Sequence, residues 1–247
     1  MPLILEIVCD SIRSVFAAAQ GGANRIELCD NLSEGGTTPS FGMITMAREA
    51  TRIPIHVMIR PRSGDFHYTP EEIKVMINDI RVCKELKADG IVIGILKRNG
   101  RVNTDQIREL VGIARPLSVT FHRAFDLTSD PVEALEDIIS CFCDRLLTSG
   151  QSDNAESGMD LIRDLQKAAG GRIQIMAGAG VTKSNAMEII RHTGITEVHM
   201  SARSIAESEM FFRREDISMG APGLSSYQSA VVDEAIVRKM RLLLDSN

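Results

Sequence analysis

Ionisable side chains of three kinds recur along the chain at spacings that place them together: Glu6, Glu27 and Glu197; Arg25, Arg60 and Arg145; His56, His122 and His199. A carboxyl group and an imidazole in one cleft can exchange a proton with a ligand, and a guanidinium beside them can clamp an anion. Glu27, His122 and Arg60 each end a short apolar run, which makes them the candidates for that chemistry. The turn IMAGAGVTKSN contributes Gly178 and Gly180, HMSARS contributes Ser201, and LLTSGQ contributes Thr148 and Ser149. Small residues let backbone N–H groups approach a phosphate or carboxylate, and a helix that follows favours the negative charge. Tight turns alone would ask for the same glycines. RPRSGDF and FHRAFD add Arg62 and Arg123 near the same rim, with Asp65 in reach of Arg62. Asp126 either orients His122 or caps the next helix. Cys9 and Cys29 end consecutive apolar runs; paired thiolates suit soft Cu(I), whereas isolated cysteines are usually small buried hydrophobes. No strand-end lysine is placed for a Schiff base, and the G-x-S-x-G, P-loop and H-E-x-x-H patterns are absent.

Short β-branched runs alternate with helical patterns from end to end, the signature of repeated βα units around a parallel sheet. The runs are 3–8, 25–28, 55–59, 91–95, 118–121, 145–147, 173–176 and 197–200. Between them, Ile73, Met76, Ile77, Ile80, Cys83 and Leu86 recur at helical spacing, Asp130-Pro131 marks a helix start, and Val232, Ala235, Ile236, Met240 and Leu243 form the stripe of a last helix over 228–244. Eight such units over 247 residues predict one (β/α)₈ barrel spanning 1–247. In that architecture strand side chains alternate between helices and lumen. Assigning the apolar set outward turns Glu6, Val8, Arg25, Glu27, Cys29, His56, Met58, Arg60, Thr120, His122, Arg145, Leu147, Gln174, Met176, Glu197, His199 and Ser201 inward. The lower members (Arg25, His56, Arg145, Glu197) suit a structural ion-pair network, and the upper ones face the mouth. The connections after strands two, three and eight are long and leave the carboxyl ends of the strands, where this fold carries its function. The last of them, 202–226, is expected to act as a lid or an oligomer contact.

Composition narrows the partners. A net charge of −5 and an aromatic content of 4% argue against a nucleic-acid surface. No apolar run approaches the roughly 18 residues a membrane span needs, and MPLILEIVCD has no basic n-region, so a cytoplasmic chain is expected. Its five cysteines, an odd set without scaffold spacing, are expected as free thiols or metal ligands.

In this order, RIELCDNLSEGGTTPS, IRPRSGDF, VTFHRAFD, RLLTSGQ and IMAGAGV resemble the CutC family of copper-homeostasis proteins over nearly the whole chain. The resemblance implies a cytoplasmic barrel, commonly a homo-oligomer, linked to copper tolerance or Cu(I) binding through two inward cysteines. One of these corresponds to Cys29. The other falls on Val8, two residues after Glu6, whereas the thiol here stands at Cys9, which alternation turns toward the helices. The expected function is copper homeostasis through Cu(I), with Cys29 and Cys9 as ligands. The alternative is an enzyme acting on a small anionic or phosphorylated metabolite, with Glu27 and His122 in acid–base roles and Arg60, Arg62, Arg123, Thr148, Ser149, Gly178, Gly180 and Ser201 holding the anion.

Overall fold

Runs of four to six apolar or β-branched residues, each released by a turn into an amphipathic helix, close into a barrel. The structure is a computed structural model that describes residues 2–214, 216–217 and 225–246. Its strands are β1 (Ile4–Cys9), β2 (Arg25–Leu28), β3 (Ile55–Met58), β4 (Gly90–Ile93), β5 (Ser118–Phe121), β6 (Arg145–Thr148), β7 (Gln174–Ala177) and β8 (Glu197–Met200). They pair in parallel in chain order, and β1 closes on β8 with Glu6 opposite His199. This is the (β/α)₈ barrel expected from the alternating pattern.

The helices are α1 (Ile12–Gln20), α2 (Phe41–Ala50), α3 (Pro70–Glu85), α4 (Thr104–Ala114), α5 (Pro131–Ser140), α6 (Met159–Ala169), α7 (Ala186–Thr193) and α8 (Glu234–Asp245). Their starts follow local chemistry. Thr69 and Glu72 form a reciprocal capping box on α3, and the Asp130 carboxylate accepts from the Val132 and Glu133 amides ahead of α5. Outward strand residues such as Ile26, Leu28, Val57, Val119, Phe121 and Ile175 are buried in one apolar layer with the helix stripes. A separate, smaller cluster of Val8, Cys29, Met58 and Val92 lies in the lumen.

One boundary differs from the sequence pattern. The last helix does not begin at 228: Gln228–Val232 is a strand, β10, paired antiparallel with β9 (Arg203–Glu207). The Asp233 side chain accepts from the Ala235 and Ile236 amides, so α8 can start only after it, and Val232 joins the sheet instead of the stripe. Arg203 pairs with Asp10 and ties the hairpin to the barrel rim. The rest of the 202–226 connection falls partly outside the described residues. Among the described residues no helix is long and apolar enough to cross a membrane.

Candidate functional site

Strand alternation delivers the charged residues to the lumen in two layers. In the lower layer Arg25 pairs with Glu6 and reaches Glu197 at 2.5 Å, and Arg145 grips the same Glu197 at 2.5 and 3.1 Å. Two carboxylates and two guanidiniums balance. Burial would raise the Glu6 and Glu197 carboxyls, but the arginines outweigh it and hold both below the usual range. His56 lies above Gly90, where a Cβ would stand 2.6 Å from its ring, and burial drops its pKa to about 4, so it is neutral. Gln174 is exposed at the start of its strand.

Above this layer a cavity of about 360 Å³ opens at the carboxyl ends of the strands. Glu27, Arg60, His122, Arg123, His199, Gly180 and Ser201 line it, among apolar walls that include Val8, Met58, Phe66 and Leu147. Glu27 is 3% exposed, and burial lifts its carboxyl to about 7. One of its oxygens, Oε1, has no partner. His199 donates through Nδ1–H to the ionised Glu6 at 2.7 Å, and its Nε2 lies 3.8 Å from Glu27. Burial would lower the His199 pKa, but Glu27 and Glu6 outweigh it and raise the group.

His122 is the complement. Its Nδ1 accepts the Ala124 amide at 3.1 Å, which leaves the ring hydrogen on Nε2, buried and unpartnered. Burial pushes its pKa down to about 3, so the cavity meets a neutral N–H donor. Gly94 makes room for it, since a Cβ there would stand 2.5 Å from Nδ1 and 2.9 Å from Ala124 Cβ.

The structure divides the remaining candidates. Arg60 is not a free anion clamp: its guanidinium donates to the carbonyls of Glu34, Gly36 and Gly64 at 2.7–2.9 Å and sits over Phe66, binding two loops together and leaving only Nε unpartnered. Arg62 is away from the cavity, paired with Asp65 and Glu72. Thr148 and Ser149 are fully buried and donate to the Asp126 carboxylate, which also takes the amides of Ser149 and Gln151. Asp126 therefore neither orients His122 nor caps α5; it knots the loops after β5 and β6 and holds Arg123 at 2.8 Å. Gly178 packs under Leu147 and His199. The Thr182 amide donates to Asn185, so the turn ahead of α7 keeps that donor for itself.

His199 and Glu6 are the residues that sequence reasoning placed inward without assigning them to the site. The signal was parity alone, because β1 and β8 become neighbours only on closure. Gly90 and Gly94 also passed unnoticed; two glycines four apart, at the start and just past the end of a strand otherwise built of Ile and Val, mark neighbours lying across it.

The two cysteines face opposite ways. Cys9 is in the outer apolar layer against the helices, and Cys29 is in the lumen. Burial raises both thiols far above their ordinary value. Paired thiolates for Cu(I) are thus not assembled here, because the inward position on β1 is occupied by Val8. Within the lumen Cys29 has a different soft neighbour: its Sγ and Met58 Cε both lie 3.6 Å from where a Cβ on Gly36 would stand.

The sequence model of the CutC family matches residues 3–204. The chain belongs to the CutC family. A family protein CutC from Chromobacterium violaceum is 46% identical over 99% of each chain. The human protein named copper homeostasis protein cutC homolog is 45% identical over 97% of this chain and 88% of its own. The crystal structure of CutC from Streptococcus agalactiae superposes with a TM-score of 0.76 at 34% identity, covering 80% of this chain and 97% of that one. Thiamine phosphate pyrophosphorylase from Pyrococcus furiosus, at 16% identity and a TM-score of 0.60, shares the fold alone. In this CutC chain, then, the lumen holds a largely apolar cavity with a few charged groups, lying beside the inward thiol of Cys29.

Proposed function

We propose that the chain serves copper homeostasis, the role that its human and mouse relatives carry in their names, by holding Cu(I) at Cys29 and Met58 in the cytoplasm. The observation that carries this is the lumen cluster of Val8, Cys29, Met58 and Val92, which sets a thiol and a thioether together on the wall beside the cavity. Thiolate and thioether sulfurs are the soft donors Cu(I) selects, and the bound ion would take the place of the thiol proton that burial retains. Cys9, facing the helices, has no part in it. Anaerobic Cu(I) titration tests the assignment: Cys29→Ser should abolish tight binding, Met58→Leu should weaken it, and Cys9→Ser should leave it unchanged. Loss of binding in Cys9→Ser with retention in Cys29→Ser would overturn the proposal. We also expect a homo-oligomer, which light scattering on the purified chain reads directly.

A second reading is favoured by a separate observation, the unpartnered Glu27 Oε1 facing a largely apolar cavity across from the neutral His122 Nε2–H. A carboxyl near pH 7 is poised as a general base or acid, and a neutral imidazole donor suits a developing oxyanion. The reading is an enzyme acting on a small anionic metabolite, with Glu27 as the base, His122 as the donor and Arg123 near the anion. Incubating the chain with extracted metabolites in D₂O would test it. Deuterium incorporated into one compound, lost in Glu27→Gln, supports it; no incorporation and no turnover by wild type opposes it.

A further inference from the structure

We propose that Glu27 and His199 bind a divalent cation of the zinc class at the floor of the cavity, with Glu6 holding the imidazole from behind. The ligand atoms of these three residues lie within 4.8 Å of one another. Their roles are not equal. Glu6 is spent, one oxygen on Arg25 and the other on His199 Nδ1 at 2.7 Å. With the hydrogen on Nδ1, the lone pair of Nε2 points to Glu27, and a carboxylate behind a metal-binding histidine is the usual means of fixing its tautomer and raising its basicity. The 3.8 Å from Nε2 to Glu27 Oε2 is too long for a hydrogen bond. Two metal–ligand bonds of about 2 Å meeting at a tetrahedral angle span roughly 3.4 Å, so the gap needs to close by only a few tenths of an ångström.

The independent pointer is Glu27 Oε1, buried without a partner in a residue that lines the cavity. A carboxylate oxygen left bare in an apolar wall costs free energy that a cation would recover. The lower network cannot supply that charge, since Arg25 and Arg145 are engaged by Glu6 and Glu197. One imidazole nitrogen and one carboxylate form a borderline donor set, suited to Zn(II) and poorly to Cu(I), so this site is distinct from the sulfur pair at Cys29 and Met58 and does not rest on it. Its open positions face the cavity. A dication neutralised by one carboxylate keeps a positive charge, which gives the cavity an anion-binding centre that Arg60 does not provide.

Calorimetric titration of the chelator-stripped chain with Zn(II), in two buffers of different ionisation enthalpy, tests the site. One saturable binding event, with the same affinity in both buffers, is expected. Glu27→Gln and His199→Asn should each weaken it at least tenfold, and Cys29→Ser should not. Absence of saturable binding in wild type, or binding lost in Cys29→Ser and kept in Glu27→Gln, overturns the proposal. Should either carboxamide variant fail to fold, crystals of the wild type soaked in Zn(II) decide: an anomalous peak between Glu27 and His199 supports the site, and a map without one there refutes it.

Discussion

Glu27→Gln in metal-free protein separates the electrostatics of the lumen from its packing. The side chain is 3% exposed, and the substitution keeps its shape while removing its titration. In the unfolded chain the carboxyl ionises at its ordinary 4.5, and in the fold at about 7. Between those values the folded state carries a proton that the unfolded state has lost, so stability falls as pH rises through the window. At about 1.4 kcal/mol per pH unit the gap corresponds to about 3 kcal/mol. His199, also raised, acts in the same direction, and it loses one of its two carboxylate partners in the variant. Urea denaturation in the presence of chelator should therefore show the variant gaining on wild type as pH rises from about 5 through about 7, by about 3 kcal/mol. A constant offset between the two pH profiles, or a wild type that gains on the variant in alkali, would mean that Glu27 is ionised inside the fold, and the reasoning would fail.

Three further outcomes follow from contacts in the lumen. Glu197→Gln leaves Arg25 and Arg145 facing a neutral amide and should cost about 3–5 kcal/mol in chemical denaturation; a loss below about 1 kcal/mol would show that these ion pairs do not hold the lower layer. Gly94→Ala drives a methyl into His122 and Ala124, so a cost of about 1–3 kcal/mol is expected, together with a displaced His122 ring resonance in NMR spectra; an unshifted resonance would contradict the packing. Val8→Cys adds a second thiol to the lumen cluster beside Cys29, and Cu(I) affinity should rise at least tenfold while stability changes by about 1 kcal/mol or less; unchanged affinity would remove copper from this cluster.

Much of this was legible in the chain because strand parity is a rigid rule. Once Ile26, Leu28 and Val57 are assigned to the helices, Glu27 and His56 have nowhere to go but the lumen, and so they do. Parity also told apart Cys9 and Val8. It fails beyond the strand ends, where backbone direction is set by loop contacts that no periodicity encodes. Arg60 was correctly turned inward, but its three carbonyl acceptors belong to loops that come together only in the fold. Thr148 and Ser149 were expected to face a ligand because small hydroxyl residues in a βα turn often do. Asp126 took them instead, since a buried carboxylate must find donors and those were the nearest. The strand β10 was missed for a related reason: Gln228–Val232 (QSAVV) shows no clean alternation and runs into the helix without a glycine or proline, so only the cap at Asp233 sets the border.

The lumen's charge balance explains why its chemistry concentrates at one place. Glu6 and Glu197 are matched by Arg25 and Arg145 within the lower layer. Arg60 is absorbed by carbonyl dipoles, and burial holds His56 and His122 neutral. What remains is Glu27 with His199, a carboxyl and an imidazole 3.8 Å apart, too far for a hydrogen bond, each with its pKa raised. Any role that uses Glu27 begins with its own proton leaving. As a base, Glu27 must be bare before it can accept a proton from a ligand; as a metal ligand, it must be bare before it can coordinate. Both roles place the working range on the alkaline side of about 7, where the fold itself is less stable. The same buried carboxyl thus sets stability against readiness, and a bound cation relieves the conflict by supplying the charge that the arginines beneath do not.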